Sequence, residues 1–309
     1  MTIADNDIIG IVFLDKPCGW TSRRAVNEVI RVFSRPGQKR IKAGHAGTLD
    51  PLATGMLPIL LGDATRFAEM GLNAEKSYRV SFDLSYQTDT LDMEGEVCAR
   101  FDAEISRVQL ELLLPGFSGE IEQVPPAFSA IRIDGKRAHD LARKGERVAM
   151  QGRRITIHAI RLVAFEYPLV TLDVSCSKGT YIRSLARDIG ECLGMGGCVT
   201  CLRRLSTGGW PEALMVTPEQ LVANRESCLM PLSQWLRDFY HLILPGELAR
   251  RFVQGQRIQL KDTKADAEEK NMAVFAEDIL LGTGMLKGGM RHMVLHPDKI
   301  MPSAQKVFL

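Results

Sequence analysis

The chain lacks several features that would move it out of the ordinary globular class. No apolar run approaches the length needed to cross a bilayer, and Met1–Asp7 is polar and acidic, unlike a secretory signal, so no membrane role and a cytoplasmic location are expected. Seven cysteines, an odd number in 309 residues, give no disulfide framework. Cys198 and Cys201 have a spacing used for metals, yet no second cysteine pair lies nearby and no histidine completes a tetrahedral set, so no metal is expected. Strong net charge is also missing: at +2 the chain as a whole does not announce a polyanion binder. What is present is 45% hydrophobic residues, enough to fill the cores of a large domain and a small one.

The charge is unevenly placed. Between Trp20 and Lys42 seven basic residues, from Arg23 and Arg24 to Arg40 and Lys42, face Glu28 alone. Between Ile131 and Arg154 eight basic residues face Asp134, Asp140 and Glu146. Two basic stretches around one glycine-rich segment point to an anionic polymer, without separating RNA from DNA. The region between them, from Asp83 through Asp89, Asp92 and Glu94 to Glu122, is acidic and is expected to face away from phosphate.

The glycine-rich segment runs from Gly44 through His45, Gly47 and Asp50-Pro51 to Gly55. Proline restricts the residue before it, so Asp50 is held rather than free. A lone Asp-Pro is commonly a turn, but Gly44, Gly47 and Gly55 allow positive φ or close approach to a ligand, and His45 adds a flat ring with two polar edges. Before this segment, Ile8–Leu14 reads as a buried strand. Next, Ala25, Val26, Val29, Ile30 and Phe33 read as a helix capped by Thr21 or Ser22 and stopped at Pro36-Gly37, its arginine-rich face free for phosphate.

Further on, Tyr78–Tyr86 alternates as a strand and Leu110–Leu114 ends a helix. Pro125-Pro126 marks a break, followed by a strand and turn at Ile131–Lys136 and a short helix through Leu141 and Ala142. Ile155–Phe165 and Leu169–Cys176 read as a hairpin. Ile182, Leu185, Ala186, Ile189 and Leu193 mark a helix capped by Thr180, with Arg183 and Arg187 off its apolar stripe. From about Tyr240 the texture becomes that of a small β-rich domain, with Lys261–Lys270 a charged, flexible loop.

Gly44–Gly55 resembles the catalytic loop of the TruB family of tRNA pseudouridine synthases. The resemblance extends to Leu14–Pro17 with Gly19 and Thr21-Ser22, then Lys76–Val80, Thr88–Asp92, Ser177–Arg183 and Leu202–Leu205, all in family order over some two hundred residues. It implies an α+β pseudouridine synthase fold, with a mixed or antiparallel sheet flanked by helices. The catalytic domain would span 1–239, including an RNA-gripping, thumb-like segment at about 126–154, and a small PUA-like RNA-binding domain would span 240–309. It also implies uridine-to-pseudouridine isomerisation at T-loop position 55 of tRNA, with no cofactor. The partner would be the T-arm, and no obligatory protein partner is expected.

The family's roles map onto Asp50 as catalytic aspartate, Arg183 as its cationic partner, and Tyr78 against the flipped base, assisting proton movement. His45 would fill the space left by the flipped uridine, Tyr181 and Leu202 would complete the pocket, and Lys16 and Asp92 would support it. Phe128 stands where relatives often have tyrosine, which puts one hydrogen bond of the gripping segment in doubt. Two alternatives stay open: a guide-RNA-dependent enzyme with the same motifs, and a non-catalytic RNA chaperone using the same basic surfaces.

Overall fold

The computed structural model describes residues 8–37, 39–129, 131–133, 135–142, 144, 150–260, 269–288 and 292–309. Eight of its strands make one mixed sheet. The first are β1 (Gly10–Lys16), β2 (Ala43–His45), β3 (Thr54–Leu61) and β4 (Lys76–Asp83). A separate hairpin, β5 (Tyr86–Thr88) with β6 (Val97–Arg100), precedes the edge strand β7 (Gly119–Gln123), and β8 (Arg132–Ile133) pairs with β9 (Lys136–Arg137). The sheet is completed by β10 (Arg153–Glu166), β11 (Leu169–Cys176) and β12 (Cys198–Thr207). The order is β1-β3-β12-β4-β11-β10-β7, with β2 added to β3.

Every pairing in this sheet is antiparallel except that of β3 with β12, which places Arg203 beside Thr54 and Arg204 beside Gly55. That parallel seam is what delivers the loop after His45 to the middle of the sheet. Gly55 is required there: at φ +95° its backbone lies so near Arg204 that a Cβ would sit 2.2 Å from the Arg204 carbonyl oxygen. The glycine thus serves close approach to the chain itself rather than to a ligand.

The helices of this part are α1 (Ser22–Phe33), α2 (Ala68–Asn73), α3 (Arg107–Leu113), α4 (Ala138–Ala142), α5 (Ile182–Cys192), α6 (Pro218–Ala223) and α7 (Leu232–Trp235); α1, α5, α6 and α7 pack on the sheet, whereas α4 packs on β9. The α1 stripe is as its spacing implies, with Ala25, Val26, Val29, Ile30 and Phe33 buried, and the larger members each stabilising the packing by about 1.5–3 kcal/mol. Thr21 caps it by accepting from the Arg24 N–H at 3.1 Å. Its polar face is less free than expected: Arg31 pairs with Glu28 and Arg24 lies over the Trp20 ring, while Arg23 stays exposed.

Other expectations shift. The strand read as Tyr78–Tyr86 is two, because Asp83 turns the chain by accepting the Ser85 N–H at 2.7 Å before β5 begins. Thr180 does not cap α5: its hydroxyl donates to the Ser177 carbonyl, and Tyr181 is the N-cap, with no side-chain cap of its own. Arg183 is buried at 5% exposure, because two carboxylates wait for it inside.

Beyond Tyr240 a five-stranded sheet contains β13 (Tyr240–Ile243), β14 (Ile258–Leu260), β15 (Lys270–Ala276), β16 (Ile279–Gly288) and β17 (Met293–Ile300), in the order β13-β15-β16-β17-β14. It packs with α8 (Gly246–Val253) and α9 (Pro302–Phe308). Residues 261–268 of the expected loop lie outside the described residues, and Lys270 opens β15. Ile11, Phe13, Met56 and Leu60 from β1 and β3 join Leu244, Phe252 and Val274 in one apolar core that includes Trp235, whose indole N–H donates to the Phe67 carbonyl at 3.3 Å. Among the described residues no helix is long and apolar enough to cross a membrane.

Candidate active site

Asp50 lies between β2 and β3 in the loop that the sheet seam positions, and its side chain keeps 36% exposure. Arg183, one residue into α5, places Nε 3.0 Å from Asp50 Oδ2 and Nη1 3.2 Å from Asp92 Oδ2. The Nε–H does not point along the Asp50 contact, which is therefore a charge pair rather than a hydrogen bond. The guanidinium is fixed instead by the carbonyls of Thr90, at 2.7 Å from Nη1, and Phe128, at 3.1 Å from Nη2. One buried cation thus joins a buried carboxylate, Asp92, to an accessible one, Asp50.

Asp92 belongs to the acidic stretch, yet it is buried and paired with Arg183 rather than solvated. The turn at Thr90–Glu94 folds inward, with Leu91 at φ +64°, the Thr90 hydroxyl donating to Asp92 Oδ1 at 2.6 Å and the Glu94 N–H doing so at 3.1 Å. A buried leucine held in the left-handed region marks a backbone over-determined by its surroundings. Those surroundings are the Arg183 contacts and β12, whose Val199 N–H donates to the Leu91 carbonyl at 3.0 Å.

Lys16 braces the loop from below. It is fully buried, and Nζ donates to the carbonyls of Pro17, Trp20 and Pro51 at 2.9, 2.7 and 3.3 Å. Burial lowers its ammonium to about 8, with Cys18 and Asp50 pulling the other way. Ser22 completes the brace: its hydroxyl both donates to the Leu49 carbonyl and accepts the Leu49 N–H, each at 2.9 Å.

On the sheet, Tyr78 of β4 pairs with Arg204 of β12 and Leu202 pairs with Val80, so Tyr78 and Leu202 share the apolar core beneath the loop. Burial pushes the Tyr78 phenol up, partly opposed by the Arg204 guanidinium. The phenol therefore keeps its proton near neutral pH. His45 ends β2; burial and then Arg204 hold its imidazolium down, and Nδ1 is buried without a hydrogen-bond partner. Tyr181 precedes Arg183 by two residues and lies under the Arg153 guanidinium, 4.6 Å from the ring centroid.

Arg204 is the residue that sequence reasoning missed. It is 1% exposed, and among the described residues no carboxylate pairs with it. Its Nε donates to the Met56 carbonyl at 2.6 Å, and its other nitrogens reach the carbonyls of Thr48 and Gly47 at 3.4 and 3.2 Å. It ties the Asp50 loop to β12. The signal was there: a strand carrying two consecutive arginines sends one to each face. Arg203 goes outward, bidentate on Asp15 at 2.9 Å and also paired with Glu212 at 2.8 Å.

Comparison with known proteins places the chain in a family. Residues 35–182 match the model of the TruB family pseudouridylate synthase N-terminal domain, and residues 183–249 match that of the tRNA pseudouridylate synthase B C-terminal domain. The tRNA pseudouridine synthase B of Ralstonia pickettii is 40% identical over 310 residues, covering 96% of this chain and 95% of that protein. The enzyme of the same name from Burkholderia lata is 40% identical over 96% of this chain and 91% of its own length. A solved Cbf5-Nop10-Gar1 complex contains a chain of similar fold, at TM-score 0.71 and 22% identity, covering 97% of this chain and 87% of that one. With near-complete coverage by close relatives and with both family models matched in sequence order, the chain belongs to the TruB family of pseudouridylate synthases.

Proposed function

We propose that this enzyme isomerises uridine to pseudouridine at T-loop position 55 of tRNA, with Asp50 as its catalytic group. The observation that carries the reading is Arg183, a buried cation shared between one inaccessible carboxylate and one that opens to solvent. The inaccessible partner and the Thr90 and Phe128 carbonyls hold the guanidinium, whose charge holds the carboxylate that opens to solvent. Its relatives' names supply the RNA class, tRNA.

The reaction breaks the bond between N1 of the base and C1′ of the sugar, turns the base, and joins C5 to C1′. The proton leaves C5, and N1 ends protonated, so atoms balance without oxidant or reductant. Asp50 serves this by attack on the base, by attack on the sugar or by removing a sugar proton to give a glycal; each uses the same carboxylate. Tyr78, protonated, offers a hydrogen bond or a proton to the base and a ring to pack against. A base inside a folded loop must be flipped out to be reached, and neutral His45 supplies a flat ring to occupy its place. Tyr181 and Leu202 line the pocket, while Lys16 and Asp92 hold the loop and Arg183.

The division of labour follows the sheets. Residues 1–239 form the catalytic unit, in which 126–154 grips RNA, and 240–309 form the PUA-like RNA-binding unit, consistent with a separate sheet that starts at Tyr240. The cytoplasm, where tRNA matures, is the place of action. An unmodified tRNA transcript treated with the protein alone should acquire one carbodiimide-reactive pseudouridine at the T-loop position. Modification that requires a guide RNA or partner proteins would overturn the stand-alone reading.

A further inference from the structure

We propose that Gln123 and Arg153, directly opposite each other across β7 and β10, are positioning residues that fix Tyr181 and couple it to the RNA-gripping segment. The inference rests on the reading above, in which Tyr181 lines the base pocket and 126–154 grips RNA.

Gln123 is fully buried, where an uncharged amide must find partners for both ends. It finds them on one residue: Oε1 accepts the Tyr181 N–H at 2.8 Å and Nε2 donates to the Tyr181 carbonyl at 3.1 Å. Tyr181 is the N-cap of α5 and has no side-chain cap of its own, so the amide does not cap the helix but clamps its N-cap residue through that residue's own N–H and carbonyl. The Cα partner of Gln123 in the sheet is Arg153. Its guanidinium stacks on the Tyr181 ring at 4.6 Å and donates to the Gly179 carbonyl. One residue holds the tyrosine's backbone, and the other holds its ring.

The same two residues bound the gripping segment. Immediately after Gln123, the Val124 carbonyl accepts from Ser184 Oγ at 2.9 Å and from Arg187 Nη2 at 3.0 Å, clipping the exit of β7 to the first turns of α5. Arg153 opens β10 at the other end of the segment. Tyr181 is therefore set by the two strand ends from which the gripping segment departs, and seating of that segment on RNA and placement of the ring share one anchor.

The test uses the full chain and an unmodified tRNA transcript, comparing Gln123→Met, Tyr181→Ala and the double variant in single-turnover rate and in tRNA affinity. Misplacing a pocket group by a fraction of an ångström costs rate, so Gln123→Met should slow the reaction by about tenfold to a hundredfold with little change in affinity. In the Tyr181→Ala background the same change should cost about twofold or less, because the backbone bonds remain but the ring they position is gone. Equal fractional losses in both backgrounds would mean a general structural role and overturn the proposal. A parental rate for Gln123→Met beside a slow Tyr181→Ala would overturn the proposal and leave the pocket reading standing. A parental rate for Tyr181→Ala would overturn both, through the pocket reading. Arg153→Met, at a half-buried position, gives the same readout if Gln123→Met does not fold; a loss confined to its affinity would assign Arg153 to RNA contact and overturn its positioning role.

Discussion

Removing Arg183 separates what the site needs for folding from what it needs for chemistry. Arg183→Met keeps much of the side-chain volume and removes the cation that lies 3.2 Å from Asp92 and 3.0 Å from Asp50. At that separation a charge pair is worth about 5 kcal/mol gross with an effective dielectric constant near 20. Asp92, with a side chain 4% exposed, cannot recover the loss from water, whereas Asp50, at 36%, recovers much of it. The single variant should therefore be destabilised by about 3–5 kcal/mol, almost all of it through Asp92. Asp92→Asn keeps an acceptor for the Thr90 hydroxyl and the Glu94 N–H while removing the charge. The double variant should regain about 2 kcal/mol or more of the loss in urea unfolding, yet remain as slow as the single variant in single-turnover isomerisation. A double variant no more stable than Arg183→Met alone would refute the claim that Asp92 is the buried charge in need of a partner. Recovery of activity along with stability would refute a role for Arg183 at Asp50.

Three further outcomes follow from the same structure. Gly55→Ala forces a Cβ to 2.2 Å from the Arg204 carbonyl at φ +95°, so the β3–β12 seam must open; a loss of about 3 kcal/mol or more is expected in urea unfolding, and a parental midpoint would contradict the seam's tightness. Lys16 titrates at about 8 in the fold and 10.5 as a free side chain, so its contribution to stability is full above 10.5 and is lost as pH falls through about 8; relative to Lys16→Met, the parent should gain stability between pH 8 and 10.5, and parallel pH profiles would contradict its burial as a cation. Affinity for tRNA should fall steeply with salt, on the order of a hundredfold or more between 50 and 200 mM if the two basic stretches track phosphates, and a flat response would remove them from that role.

The loop that carries Asp50 was legible as a constrained segment because proline and glycine leave it few conformations, and α1 because its apolar residues recur at helical spacing beside a threonine cap. The centre of the sheet was not. β12 joins β3 in parallel across about 150 residues of chain, and neither strand announces its partner by local pattern. Arg183 was legible as the cationic partner of Asp50, but spacing put it off the apolar stripe of α5 and gave no sign of its burial, which only carboxylates brought from residues 50 and 92 make favourable. Arg204 and Gln123 share that character, since each is satisfied by backbone atoms from a distant segment. The start of α5 shows the difference most simply: a local rule chose Thr180 as cap, whereas the N-cap is Tyr181, held through its backbone by an amide from residue 123.

The central claim is that Asp50 performs the chemistry, and tritium release from a T-arm RNA labelled at C5 of uridine tests it most directly. C5 loses its hydrogen only when the base is rejoined through that carbon. The parent protein should release tritium with no other component present, and Asp50→Asn should release none while binding the RNA with nearly parental affinity. Equal release by both proteins would contradict the assignment of Asp50, and no release by either with RNA bound would contradict stand-alone catalysis.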